Sequence, residues 1–236
     1  MNSWDTSKVE WAQAMFYRAV SFDQPLNNWD TSSFRSMFMM FDVAHSFNQD
    51  ISNWNTSQVE VMSACFSDAM RFNQPIGHWD VSKVVHMVDL FEGATAFNQP
   101  LNDWVTSSVQ SMDGLFMDAE AFNQDLSNWD VSSVASMAKM FSGAISFNQN
   151  LCNWGPQVSP QVFKLDMFQR TACPITSDPD YGSDGDASTS PPSEMVMLDG
   201  VPPPDAEPIV LGPGDFESDG SWSASTMCHI CEATAP

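Results

Sequence analysis

Apolar residues fall in fixed slots along this chain, and the slots recur every 25 residues. Trp4, Trp29, Trp54, Trp79, Trp104, Trp129 and Trp154 keep one phase, and Phe22, Phe47, Phe72, Phe97, Phe122 and Phe147 keep another. A fixed period with apolar residues in fixed slots marks a repeat solenoid. A unit this small cannot bury its own apolar side, so neighbouring units have to stack. Before each Trp the unit reads Phe-Asn-Gln-(Pro/Asp)-(Leu/Ile)-x-x-Trp, as in Phe47 to Trp54. That segment is short and bounded by Asn, Gln and Pro, so a short parallel strand, bent rather than regular, is expected there. After each Trp the unit reads Asp-Thr-Ser-x-Val-x-x-Met-x-x-(Met/Leu)-Phe-x-x-Ala. Val134, Met137, Met140, Phe141 and Ala144 show spacings of three, three, one and three, which predict one face of a short helix.

The polar columns fit the same picture. Ser7, Ser32, Ser57, Ser82, Ser107 and Ser132 stand just before the apolar run and are expected to cap a helix N-terminus. Glu10, Glu60 and Gln110, three residues on, complete a capping-box pattern. A serine nucleophile in six copies would need six bases, and the pattern provides none. Asn48, Asn73, Asn98, Asn123 and Asn148, with Asp23 in the first unit, are expected to form a ladder of amides along the stack. Met37, Met62, Met87, Met112 and Met137 fill the core as adaptable thioethers in contact with aromatic rings. Paired at the ordinary sheet spacing, seven such turns make a rod about 30 Å long. Its ends would expose an apolar layer, which natural arrays cover with caps.

The last unit departs from the consensus, at Leu151-Cys152-Asn153-Trp154-Gly155-Pro156, and ends on Thr171-Ala172-Cys173-Pro174. Cys152 and Cys173 occur only in this odd final turn. A bridge between them would lock the turn shut, with about 3 kcal/mol from the closed loop and an oxidising compartment as its corollary. Two unrelated buried thiols are the alternative. Cys65 stands where sister units carry Met or Leu and reads as a buried apolar thiol. The expected organisation is a solenoid over 1–175 and an acidic Pro/Ser/Gly-rich linker, disordered, over 176–227. Residues 228–236 follow as the start of a truncated cysteine-containing segment, with Cys228-His229-Ile230-Cys231. A lone CxxC is short of the four ligands a structural zinc needs. Both ends look cut, so a fragment of a longer protein is expected.

Thirty acidic residues against eight basic ones give a net charge of −22. Such a surface repels nucleic acid and anionic lipid. No apolar run approaches the roughly 18 residues of a transmembrane helix.

The unit from Phe122 to Ala144, Phe-Asn-Gln-Asp-Leu-Ser-Asn-Trp-Asp-Val-Ser-Ser-Val-x-x-Met-x-x-Met-Phe-x-Gly-Ala, resembles the BspA-type leucine-rich-repeat surface-protein family, including its mycoplasma lipoprotein branch. The resemblance runs from Trp4 to Pro174. It implies a right-handed, leucine-rich-repeat-like solenoid, cell-surface or secreted placement, and a role in adhesion or protein binding. It brings no catalytic residues. Departures are Asn55 and Val105 for the Asp after Trp, and Gly77-His78 in the fourth unit.

A non-enzymatic surface protein that binds protein or glycan is therefore the leading expectation. Asn28, Asn53, His78, Asp103 and Asn128 share one phase on the expected strand side and form the candidate binding strip. A cation- or ice-binding ladder is a second class. Its Asp column (Asp5, Asp30, Asp80, Asp130) is broken at Asn55 and Val105, and its Thr column (Thr6, Thr31, Thr56, Thr106) at Val81 and Val131. An accessory module of a larger multidomain surface protein is a third. His45, His78, His86 and His229 fall at different phases, with no Ser/His/Asp order, phosphate loop or HExxH around them. No catalytic site, metal or cofactor is expected, and the oligomeric state is left open.

Overall fold

The computed structural model describes residues 4–159 and 161–173. Each 25-residue unit is a coil made of one-turn bends, closed by backbone bonds three residues apart. In the coil that begins at Trp54, these are Val59 N to Thr56 O, Cys65 N to Met62 O, Ala69 N to Phe66 O and Phe72 N to Ala69 O, all 2.9–3.1 Å. The three-residue apolar spacing comes from these turns, each of which brings an apolar corner inward.

The expected helix does not form. The chain swings into the left-handed region twice per coil, at Ala64 and Asp68, Asp89 and Gly93, Gly114 and Asp118, and Lys139 and Gly143. A right-handed helix cannot run through such residues. Alternate N–H groups instead reach the next coil: Met62 to His86 O, Ala64 to Val88 O, Phe66 to Leu90 O and Asp68 to Glu92 O, at 2.6–3.2 Å. Among the described residues, the one helical turn is a 3-10 segment at Cys152–Trp154.

The expected strand is misplaced as well. No strand forms in the Phe-Asn-Gln segment. Parallel bridges occur in the other half of the coil, in a single column: Trp11, Ser36, Val61, His86, Ser111, Ser136 and Phe163. Each step is 25 residues, except the last, which is 27 (136 to 163) because the final coil is expanded. The pairing is one residue wide because the positive-φ residue three positions on, as at Met39 and Ala64, ends the extended stretch.

The aromatic columns lie inside. Phe41, Phe66, Phe91, Phe116 and Phe141 stack in one line, and Phe47, Phe72, Phe97, Phe122 and Phe147 in another, all fully buried. The indoles stack nearly parallel, as at Trp54 and Trp79, whose ring planes are 3° apart. Per-coil displacement is 5.6 Å at Phe41–Phe66, 5.9 Å at Phe47–Phe72 and 6.2 Å at Trp54–Trp79. Paired backbones lie about 4.8 Å apart.

Candidate binding surface

A rigid amide spine holds the segment before each Trp. Each Asn side-chain oxygen accepts the backbone N–H of the next Asn 25 residues on: Asn48 from Asn73, Asn73 from Asn98, Asn98 from Asn123 and Asn123 from Asn148, at 2.9–3.0 Å. Asp23 opens the series by accepting from Asn48. The ladder expected from the Asn column is present, and the adjacent Gln column, which the sequence reading passed over, completes it. Gln74, Gln99, Gln124 and Gln149 each donate to both the side-chain and backbone oxygens of the Asn one coil back. These bonds occupy the groups a strand would have used. The indoles add another tie: Trp54, Trp79, Trp104, Trp129 and Trp154 donate Nε1–H to the carbonyl 28 residues earlier, at 3.0–3.3 Å.

Between spine and indole lies the candidate strip. Asn28, Asn53, His78, Asp103 and Asn128 are all exposed, each next to a buried Trp. Asn53 Nδ2 donates to Asn27 O at 2.7 Å, and His78 Nε2 lies 2.7 Å from Ser52 O. These two side chains lie along the stack, bridging adjacent coils. The strip sits on a run of turns, away from the bridge column, so its expected place on a strand side is corrected. Near its C-terminal end an open hollow of about 270 Å³ is lined by Asp125, Ser127, Gln149, Asn150, Cys152 and Asn153.

The other polar columns do different work from that expected. The Ser column caps no helix; Ser7, Ser32, Ser82 and Ser132 donate both N–H and Oγ–H to the carboxylate two residues earlier. Those hydrogen bonds hold Asp5, Asp30, Asp80 and Asp130 below the usual carboxylate range. Glu10 and Glu60, expected in capping boxes, flank Arg35 at 3.4 Å on either side. The Thr hydroxyls of Thr6, Thr31, Thr56 and Thr106 are buried and donate to the carbonyl 24 residues on. They are not presented to solvent. Cys65 is fully buried, and burial drives its thiol far above the ordinary range. Cys173 is buried with its sulfur 3.3 Å from Phe147 O. Cys228, Cys231, His229 and the linker lie outside the described residues. Among the described residues, no group of three or more His, Cys, Asp or Glu side chains is placed to hold a metal ion.

One feature was missed by sequence reasoning. Asp42, Asp68, Asp89 and Glu92 gather where the coils pass through the left-handed turns. Burial pushes Glu92 up to about 7, with Asp89, Asp68, Asp118 and Asp42 adding repulsion. Burial, then Asp113 and Asp42, pushes Asp89 up to about 6. The signal was an alternation of Asp and Gly in one column, Asp68, Gly93, Asp118, Gly143. Both residue types tolerate positive φ. A Cβ on Gly143 would run into the Asp118 carboxylate, so the column alternates bulk with none.

These features define a repeat protein of stacked 25-residue coils, hydrogen-bonded along its length and polar on its turn face. The chain belongs to the family described as "Mycoplasma protein of unknown function, DUF285", which matches it twice, over residues 1–88 and 75–174. No curated protein and no solved structure matches it. No helix among the described residues is long and apolar enough to cross a membrane.

Proposed function

We propose that this chain is a non-enzymatic cell-surface or secreted protein of the BspA type, whose coils wind as a right-handed, leucine-rich-repeat-like solenoid and bind protein or glycan. The observation that carries the reading is the strip itself. Five exposed polar side chains recur at one phase on a scaffold tied by amide, indole and backbone bonds. A preformed surface loses little conformational freedom on binding. Amide, imidazole and carboxylate groups at a regular step suit hydrogen bonding to an extended polar partner. The absence of catalysis in this reading rests on dispersion: His45, His78 and His86 lie at different phases, and the Ser hydroxyls are engaged by neighbouring carboxylates.

An array of glycans and surface proteins, probed with the full chain, tests the reading. A ligand should appear, and Asn53→Ala, His78→Ala and Asp103→Ala combined should abolish its binding while the chain stays folded, the loss of the Asn53 and His78 inter-coil bonds lowering stability by only about 1–3 kcal/mol. Binding that survives the triple substitution would remove the strip from the account. The same proposal includes a Cys152–Cys173 bridge closing the final coil. Alkylation of the denatured, unreduced chain should leave both sulfurs unmodified; modification of either contradicts the bridge.

A further inference from the structure

We infer that the strip's partner is an extended, basic stretch of polypeptide, laid along the stack with one donor-bearing side chain over each of Asn53, His78 and Asp103. The inference rests on the reading of the strip as a binding surface and names the chemistry of its occupant. The fold decides which hydrogen-bonding groups the strip keeps free. Asn53 Nδ2 donates to Asn27 O at 2.7 Å, and Asn153 Nδ2 to Ser127 O at 3.4 Å, in each case the carbonyl 26 residues back. His78 Nε2 lies 2.7 Å from Ser52 O, at the same separation. A carbonyl only accepts, so this ring nitrogen carries the hydrogen, and Nδ1 of the neutral imidazole is left as an acceptor. Asn53 is left with Oδ1. Asp103 has no hydrogen to give to Gly77 O, and among the described residues no donor reaches its carboxylate. Across three successive coils the donors are engaged along the stack, and the remaining groups are acceptors.

Charge and spacing then select among donors. Asp50, Asp80 and Asp103 are exposed in these coils, and no Lys or Arg stands at any of their three phases. The ammonium of Lys83, a little past Asp80, is held by Gln58 Oε1 at 2.8 Å. A cationic donor is therefore favoured over a neutral one, because its bonds to these acceptors are charge-assisted and its charge complements the surface. The indoles beside the strip advance 6.1 Å from Trp29 to Trp54 and 6.2 Å from Trp54 to Trp79. An extended strand rises about 6.4–6.8 Å per two residues, so its alternate side chains meet successive coils and drift by less than about 1.5 Å between Asn53 and Asp103. A polyproline II segment repeats every three residues, about 9.3 Å, and falls out of step after one coil.

The test uses the full chain and two fluorescent, end-blocked peptides of Thr with three arginines each. In one, Arg alternates with Thr; in the other, Arg stands at every third residue. Anisotropy titration at low ionic strength should show the alternating peptide binding about tenfold tighter or more. Asp103→Asn supplies the hydrogen that Gly77 O lacks, so the melting temperature should hold or rise while affinity for the alternating peptide falls about tenfold. Glu120→Gln makes the same change of charge on an exposed side chain off the strip and should leave that affinity in place. Equal affinity for the two peptides, or an equal loss with Glu120→Gln, would reduce the binding to diffuse charge attraction and overturn the inference. No binding of either peptide would overturn it too. If a glycan is then captured, and lost with Asn53→Ala, His78→Ala and Asp103→Ala combined, the strip stands as a binding surface with a different occupant. Spacing-dependent peptide binding that survives the triple substitution would overturn both readings.

Discussion

Trp54 lies in an interior coil and is 4% exposed; Trp4, in the same slot of the first coil, is 52% exposed. The two coils carry the same repeat signature and differ in neighbours. Burial here is therefore a property of the pair of interfaces around a coil and is not contained in the coil's own sequence. The interior coil also shows what the repeat optimises. Rings stack on rings, amides on amides, and N–H groups on carbonyls, each at the same step, so one substitution is felt in three coils at once.

The comparison can be broken most forcefully at the rings. Phe91 touches Phe66, Phe97, Phe116 and Trp104 with centroids 4.1–6.3 Å away. Phe91→Ala should cost about 3–5 kcal/mol in urea unfolding. Trp11→Ala, at a side chain 63% exposed, should change stability by less than about 0.5 kcal/mol. Equal costs at the two sites would remove the distinction between interior and end.

The amide spine comes next. Asn98 Oδ1 accepts from Asn123 N at 3.0 Å and from Gln124 Nε2 at 2.8 Å. Asn98→Ala leaves a backbone N–H without its acceptor and should cost about 2 kcal/mol. Asp23→Ala removes the same two bonds from the first coil, where water has access, and should cost about half as much. Denaturation midpoints of the two variants give the ratio directly.

The acidic turns sharpen the comparison through pH. Glu92 is pushed up to about 7 in the folded chain, above its ordinary value, so folding favours its protonated form. Its contribution is fully present below about pH 4, and it is lost as pH rises through 7. At pH 8, Glu92→Gln should raise stability by about 1–2 kcal/mol, a figure reduced for the group's partial exposure, and at pH 4 it should do nothing. The first coil carries Tyr17 at this phase and should show no counterpart. The Asp–Ser pairs act with the opposite sign. Asp80 and Asp130 sit below their ordinary value, so what they add is present above about pH 4 and lost as pH falls further. A melting-temperature profile for wild type and Glu92→Gln across pH 2–8 separates the two groups, Glu92 acting between about pH 4 and 8 and the Asp–Ser pairs below about pH 4.

The smallest effect concerns backbone strain. Val43 holds φ 58 at a phase where Gly93 and Gly143 stand in other coils. A β-branched residue there is an outlier. Val43→Gly should gain about 0.5 kcal/mol, the relief of strain exceeding the added entropy of the unfolded chain. A loss of stability would show that the Val side chain's own packing dominates.

Much of this was legible from residues alone. The Trp and Phe phases placed the core, and the Asn column placed a ladder, because a strict period leaves equivalent groups one step apart. The local structure was not legible. Val134, Met137, Met140, Phe141 and Ala144 repeat at three, three, one and three, and a helix face and a run of one-turn bends produce the same spacing. The residues that decide between them are Lys139 and Gly143, whose positive φ resets the chain. Lysine carries no such signal, and Gly143 was overshadowed by the apolar residues around it. The strand was misplaced for a related reason. The segment from Phe47 to Trp54 looks extended, but its Asn48 and Gln49 side chains take over the bonding between coils. The strip residues were found at the right phase because Trp fixed the register, although the turn that carries them was read as a strand.

The central claim is that equivalent residues 25 positions apart lie in contact along one continuous stack. Removal of residues Asp80 to Trp104, one full period, joins Trp79 to Val105 and keeps every column in phase. Removal of Asp80 to Leu101, three residues fewer, puts every later column out of phase. Thermal unfolding followed by near-ultraviolet circular dichroism should show a single cooperative transition for the first deletion and no folded aromatic signal beyond the junction for the second. Two deletions with the same outcome, both folded or both unfolded, would contradict the account.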